Sequence, residues 1–324
     1  MPQWQYTRGL HDLGNGLWAY LLPDGSWGWS NAGLIVEGDQ TLLVDTLFDL
    51  KLTAEMLAAM RRSIPAAAHI NTLVNTHNNG DHTFGNQLVE GAEIIASNAT
   101  KLDMKPEEPA HYQHMKLHPH NRATEFVSEL FAPFDFSGIN MRMPDKTFSG
   151  ELTLQVGDKA VHLIEVGPAH TRGDTLVHVP KDRTVFTGDI LFNGGTPIAW
   201  AGPVSNWVRA CDRILAMDVD VIVPGHGPIA DKAVVREMRS YLQFVIDEAR
   251  KRYDRGMNAR DAAFDIVLGR FADLGDSERI VVTVWNLFQE FKGEHAEPDV
   301  FALFETMADY RDHQRGHAHV HRHA

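Results

Sequence analysis

Thr76-His77-Asn78-Asn79-Gly80-Asp81-His82 is the stretch that decides how this chain of 324 residues is read. It follows Ile70-Asn71-Thr72-Leu73-Val74-Asn75, a short apolar run that reads as a buried strand. Three side chains able to bind a metal, His77, Asp81 and His82, then fall close together. A rigid strand opening into a loop at a sheet edge holds such ligands in convergent directions. Imidazole nitrogen and carboxylate oxygen together suit zinc and neighbouring divalent ions.

Three further segments carry the same kind of chemistry. His170 lies in Gly167-Pro168-Ala169-His170-Thr171-Arg172-Gly173-Asp174, Asp189 ends Val185-Phe186-Thr187-Gly188-Asp189, and His226 lies in Val221-Ile222-Val223-Pro224-Gly225-His226-Gly227. Each is a turn of small residues directly after a strand-like run. With these motifs in this order, the chain resembles the metallo-β-lactamase superfamily from about Trp18 to about Ile229.

The resemblance implies an α/β fold, a four-layer αββα sandwich, and a metal-dependent hydrolase. It also implies two metal sites. His77, position 79 and His170 form one, Asp81, His82 and His226 the other, and Asp189 bridges them. Asp81 is the expected catalytic residue, binding metal and orienting or accepting the proton of the attacking hydroxide. Zn²⁺, one or two ions, is the expected cofactor; iron or manganese suits the same donors. The family's first motif usually reads His-x-His-x-Asp-His, and here Asn79 stands at its second His. A neutral amide oxygen replaces imidazole poorly. Site one therefore keeps His77, His170 and Asp189, and the expectation is a weaker first site beside an intact second one. Asp45, at the end of the strand Ala32 to Asp45, either lies beneath the metals and orients a ligand, as the resemblance implies, or is a turn acid.

Acidic residues outnumber basic ones, 43 against 30, for a net charge of −13. Such a chain repels phosphate backbones, which argues against a nucleic-acid substrate. The triplet Arg250-Lys251-Arg252 reads as a solvated helix face. No apolar run is long enough to span a membrane. Residues Met1 to Tyr6 lack a signal-peptide pattern, and Cys211 is the single cysteine, so no internal disulfide forms and a cytoplasmic location is expected.

Leu17 to Leu22 and Ala32 to Asp45 read as strands joined by a turn carrying Trp27 and Trp29, which either floor a substrate pocket or pack on the sheet. Leu50 to Ser63 has helical spacing, and Gly91 to Ser97, Leu152 to Val166, Thr175 to Val179, Thr184 to Phe186 and Val219 to Val223 read as strands, His162 within them being structural. Asn206 to Met217 reads as a helix, and Leu191 to Pro203 as a glycine-rich loop near the metals. Residues 105–146 look like an insertion over the site. Their histidines, His111, His114, His118 and His120, read as solvent-facing, and Phe131 to Phe136 as the lining of an apolar pocket.

The chain thus divides into a metal-binding domain (1–229), a helical extension packed on it (230–312) and a histidine-rich flexible tail (313–324) able to bind metal. The extension, with candidate helices at Lys232 to Arg255, Ala259 to Leu268, Ser277 to Glu290 and Asp299 to Asp312, caps the site, makes a homodimer contact or, as helical spacing alone favours, simply packs on the core.

The favoured reading is hydrolysis of an ester, lactone, thioester or amide with a hydrophobic body, a small-molecule substrate. A divalent metal lowers the pKa of bound water to about 7, so no Ser or Cys nucleophile is needed. The rivals are an iron redox enzyme on the same fold and a ligand-binding scaffold without turnover.

Overall fold

Alternation of apolar residues along the strands builds two sheets that share a core. The computed structural model describes residues 4–294 and 296–321, with side chains as far as 316. The first sheet holds β1 (Gly9–Gly14), β2 (Leu17–Leu21), β3 (Ala32–Glu37), β4 (Gln40–Val44), β5 (Thr72–Val74), β6 (Glu93–Ser97) and β7 (Lys146–Phe148), in that spatial order. β1 to β4 form an antiparallel meander, and β4 to β7 run parallel. The second sheet holds β8 (Glu151–Val156), β9 (Lys159–Glu165), β10 (Thr175–Val179), β11 (Thr184–Phe186) and β12 (Val221–Val223). It is antiparallel except for the parallel pair β11–β12.

Because side chains alternate along a strand, each sheet has two apolar faces to cover. Leu42 and Val44 of β4 join Val74 and Ile95 against Val161, Leu163, Val177, Phe186 and Val223 between the sheets. Leu34, Leu43, Leu73 and Ile94 turn the other way, into the cluster holding Met56, Leu57 and Met60 of α1 (Leu50–Ser63). Ile164, Val185 and Ile222 do the same on the outer face of the second sheet, in the cluster holding Trp207, Cys211 and Ile214 of α6 (Val204–Ala216). The layers are therefore helix, sheet, sheet, helix. Where β3 crosses the second sheet, a Cβ on Gly33 would lie 2.3 Å from the Phe186 ring. Only glycine lets the sheets approach this closely there.

Along the chain between β5 and β7 lie α2 (Gly80–Thr83), α3 (Asn98–Asp103), α4 (Glu108–Leu117) and α5 (Arg122–Leu130). The last two make the insertion over residues 105–146 a helical hairpin rather than a loop. Asn121 accepts from Thr124 N and starts α5 with a capping box, a signal the prolines nearby obscured. Phe134 and Phe136 do not line a cavity; they close on Phe48 at ring-centroid distances of 4.9 Å and 4.8 Å. β1 and β7, an exposed edge and a three-residue strand, escaped the sequence pattern.

Four more helices follow: α7 (Lys232–Tyr253), α8 (Ala259–Asp265), α9 (Ile280–Lys292) and α10 (Val300–His321). α7 packs along α6, α9 against α7 and α8, and α10 against α5. Arg252 is not on a solvated face: it is buried, 2.6 Å from Glu248 and 2.9 Å from Asp265. α10 carries helix through most of the stretch 313–324 expected as a flexible tail; residues 322–324 and the side chains beyond 316 lie outside the described residues. No helix among the described residues is long and apolar enough to cross a membrane.

Candidate metal centre

The parallel strands β4 and β5 end side by side, and the site begins there. Asp45, the residue after β4, has φ +63°, a left-handed conformation that aspartate tolerates better than most residues. That turn aims its carboxylate back at the neighbouring strand end. Oδ1 accepts from Thr76 N at 2.7 Å, and Oδ2 accepts from the Thr76 hydroxyl at 2.7 Å. Oδ2 also lies 3.0 Å from His82 Nδ1. Asp45 thus orients a ligand and closes a turn at once, so its two sequence readings merge.

The other histidines are held in the same manner. His77 Nδ1 lies 3.0 Å from the Thr76 hydroxyl oxygen, His170 Nδ1 2.6 Å from Ile198 O, and His226 Nδ1 3.1 Å from Gly25 O. With every Nδ1 committed outward to an acceptor, each ring presents Nε2 to the interior. These four nitrogens surround Asp189. Its Oδ1 is 3.1 Å from His82 Nε2, and its Oδ2 is 3.3 Å from His170, 3.4 Å from His226 and 3.8 Å from His77. Asp81, on α2, places Oδ2 3.2 Å from His226 Nε2 and 3.9 Å from His82 Nε2.

Two groups with metal-ligand spacing result: His77, His170 and Asp189, and Asp81, His82 and His226. His77 Nε2, His82 Nε2 and Asp189 Oδ1 are buried without a hydrogen-bond partner. Leaving such atoms unpaired costs about 1–3 kcal/mol each. A cation among them removes that cost, so the donor set fits a divalent metal.

Charge is balanced within the cluster. Burial pulls the His226 pKa down, yet the Asp189 and Asp81 carboxylates carry it up to about 9. Burial likewise opposes charge on His82, and the same carboxylates with Asp45 hold it well above the ordinary histidine value. His77 goes the other way, lowered by burial and by the neighbouring His82 charge, and is a neutral imidazole. Against the effect of burial, His82 and His226 bring Asp81 down to about 2.

Asn79 points into the site. Its amide lies 3.1 Å from His170 Nε2, the nitrogen that faces Asp189. Since His170 Nδ1–H donates to Ile198 O, Nε2 is the acceptor and the Asn79 NH₂ the donor. The loop bearing His226 is pinned by Asn31, whose amide donates to Pro224 O at 3.0 Å and Gly227 O at 2.8 Å. A Cβ at Gly225 would lie 1.9 Å from Asp189 Oδ1, so this position admits no side chain.

Above the cluster opens a cavity of about 830 Å³, with Trp27, Phe48, Phe131, Trp200 and Phe304 among its walls. Of the two turn tryptophans, Trp27 faces this cavity and donates to Glu278 at 3.0 Å, whereas Trp29 packs on Phe134 at 4.9 Å. His111, His114, His118 and His120 are exposed on or just beyond α4 and stay out of both ligand groups. Sequence reading missed two contributors: Thr76, which links Asp45 to His77, and Phe192, stacked on His226 at 5.2 Å. Trp285, Asn286 and Phe304 of α9 and α10 bring the helical extension to the pocket wall, one of the places expected for it. The Thr76 role was signalled only by its place between a strand and the first ligand.

The Metallo-beta-lactamase superfamily model matches residues 25–226. The chain is similar to the 2,4-dinitroanisole O-demethylase subunit alpha of Nocardioides sp., 26% identical over 202 residues, 60% of this chain and 51% of that protein. It is also similar to the Beta-lactamase-like protein 2 homolog of Caenorhabditis elegans, 22% identical over 215 residues, 66% of this chain and 61% of that one. A stretch of 79 residues matches an acyl-coenzyme A thioesterase of Gallus gallus at 28% identity, covering 22% of this chain and 28% of the thioesterase. The match covers about half the length of the demethylase subunit. Among solved structures, a metallo-β-lactamase from Pontibacter korlensis superposes with a TM-score of 0.55 at 18% identity, over 73% of this chain and 99% of that one. A stereoselective inverting sec-alkylsulfatase from Pseudomonas sp. superposes with 0.62 at 14% identity, over 90% and 51%. These structures share the fold.

Two predictions follow from the geometry. Asp45→Asn keeps the left-handed turn but removes the charge beneath His82. We expect a loss of about 1–3 kcal/mol in urea unfolding and a fall of about 10–100-fold in metal affinity; unchanged affinity would show that Asp45 does not orient the ligand. Second, metal binding must displace the proton that His226 holds up to about pH 9. Affinity should therefore rise with pH through the neutral range toward that value, with protons released on binding, His82 adding its own since it too is held well above the ordinary histidine value. Calorimetry in buffers of different ionisation enthalpy reads this, and a pH-independent affinity without proton release would contradict it.

Proposed function

This chain belongs to the metallo-β-lactamase superfamily, and on that basis we propose that it is a metal-dependent hydrolase of an ester, lactone, thioester or amide with a hydrophobic body. The observation that carries the reading is the convergence of four Nε2 atoms and two carboxylates, three of their atoms buried and unpaired, at the floor of an aromatic-walled cavity. His77, His170 and Asp189 would hold one metal, and Asp81, His82 and His226 a second. A divalent metal bound there supplies Lewis acidity and brings the pKa of water to about 7.

The chain's own residues supply the rest. Asp81 is held ionised at neutral pH, so it is ready to orient an attacking water and take its proton. Cys211 is no nucleophile: it is buried on α6, and burial pushes its thiol up to about 12. The cavity is of the size that holds a drug-sized ligand, and its apolar walls suit a hydrophobic acyl or leaving group. Glu290, Glu294 and Glu297 also line it, which disfavours polyanionic substrates. With the net charge of −13, nucleic acid is a poor partner.

A second reading has one specific support. The demethylase subunit among the relatives is named for cleavage at an aryl methyl ether, and the aromatic walls here would also fit such a ring. Esters, lactones, thioesters and an aryl methyl ether should be offered side by side. Turnover of carbonyl compounds supports the first reading, and turnover of the ether alone supports the second.

Metal content discriminates further. We expect about two zinc ions per chain, the group with Asn79 losing its ion first to a chelator. Iron would support redox chemistry, and no metal a scaffold. Asp81→Ala should lose metal at the second group and at least about 10²-fold in kcat. Wild-type metal content and turnover in that variant would overturn the assignment.

A further inference from the structure

α4 brings a carboxyl group to the cavity that the metal cluster does not use. Glu108 and Tyr112, one turn apart on this helix, both line the cavity together with Asn78, Asn79 and Asp81 of the metal-binding loop. The Tyr112 hydroxyl donates to Glu108 Oε1 at 3.1 Å. Its ring is wedged among Phe84, Phe131 and Phe136, with centroids 6.0, 5.4 and 5.9 Å away. The hydroxyl is thus fixed, and it fixes the carboxyl. Oε1 is engaged by Tyr112, which leaves Oε2 to carry a proton.

We propose that Glu108, positioned by Tyr112, is the general acid that protonates the leaving group. The proposal rests on the hydrolytic reading above. When the tetrahedral adduct of an ester collapses, the bond from the acyl carbon to the leaving oxygen breaks and its electron pair passes to that oxygen. The oxygen takes the proton from Glu108 Oε2. The carboxylate then regains a proton from water at the cavity mouth. Two carboxyl groups of one cavity divide the labour: Asp81 of the metal-binding loop accepts a proton from the attacking water, and Glu108 of α4 donates one to the leaving group.

The surroundings favour a neutral carboxyl. Burial raises Glu108 to about 7, with Tyr112 and Lys105 opposing and Glu107 and Asp81 adding. Of the charged residues of α5, which packs on α4, Arg122 pairs with Asp312 and Glu129 with Arg311, and Glu125 is exposed to solvent. Arg172, on the same cavity wall, pairs with Asp103. The hydrogen-bond partner of this carboxyl is a neutral hydroxyl, and both groups line the same cavity as Asp81.

The test is a leaving-group series. Metal-loaded wild type and Glu108→Gln are assayed on acetates whose leaving groups run from p-nitrophenol to a simple alcohol. A departing alkoxide needs a proton, and p-nitrophenolate does not. The ratio of kcat/KM for the alkyl ester to that for the p-nitrophenyl ester should fall about 10²-fold in the variant. Tyr112→Phe removes a donor that favours the carboxylate, so the alkaline limb of its kcat profile should move to higher pH. In infrared spectra of the metal-free protein at neutral pH, the protonated-carboxyl absorption should be weaker in Glu108→Gln than in wild type, Asp174, also raised to about 7, supplying a part common to both. An unchanged ratio, or no such difference between the spectra, overturns the proposal. If wild type turns over no ester at all, the hydrolytic reading fails first, visibly in the wild type, and the proton-donor role falls with it.

Discussion

Four imidazole rings anchored through Nδ1 are the constraint on which the rest depends. The four anchors come from three kinds of group: a threonine hydroxyl, an aspartate and two backbone carbonyls. Together they leave four Nε2 atoms turned toward Asp189, buried in a place where no other polar partner reaches some of them. Such an arrangement is unfavourable for folding by itself. It persists because the surrounding structure over-determines it: Asp45 ties β4 to the loop after β5, Asn31 ties the β2–β3 turn to the loop after β12, and Gly225 lets that loop touch Asp189. Stability given up here is the ordinary signature of a functional site.

The sandwich explains why these segments meet. The parallel strands β4 and β5 deliver Asp45 and the first motif to one edge. The parallel pair β11–β12 delivers Asp189 and His226 to the same edge from the second sheet. Ligands collect beyond the carboxyl ends of such strands because that is where neighbouring loops diverge and leave room. The apolar residues between the sheets hold the two edges in register, so the core sets the distances among the ligands.

Helical elements outside the sandwich then decide what can reach the centre. α4, α9 and α10 each contribute to the cavity wall, and Thr283 and Asn286 of α9 hydrogen-bond the loop that carries Ile198 and Ala199. Ile198 is also the anchor of His170. The extension is thereby coupled to the metal cluster through one short loop, and substrate shape and ligand orientation are linked in this molecule.

Much of this was legible along the chain. Apolar runs ending in small-residue turns with His and Asp marked the strands, the edge and the six His and Asp residues that converge there, because strand period and side-chain chemistry are local properties. Asn79 was equally plain as the departure in the first motif. Helix positions in the extension were readable to within a few residues from spacing alone, except that α10 continues past Asp312 to His321. What local pattern could not carry was every relation between distant segments. Whether Trp27 or Trp29 faced the cavity, whether Asp45 bent back to His82, whether the aromatic run after α5 lined a pocket or filled a core: each depended on packing partners far away in sequence. The same holds for Glu108, an ordinary helix-start acid in the sequence. Its character as a neutral carboxyl arises only because α4 lays it against Tyr112 and the wall of the cavity, where burial disfavours the charge that water would have stabilised.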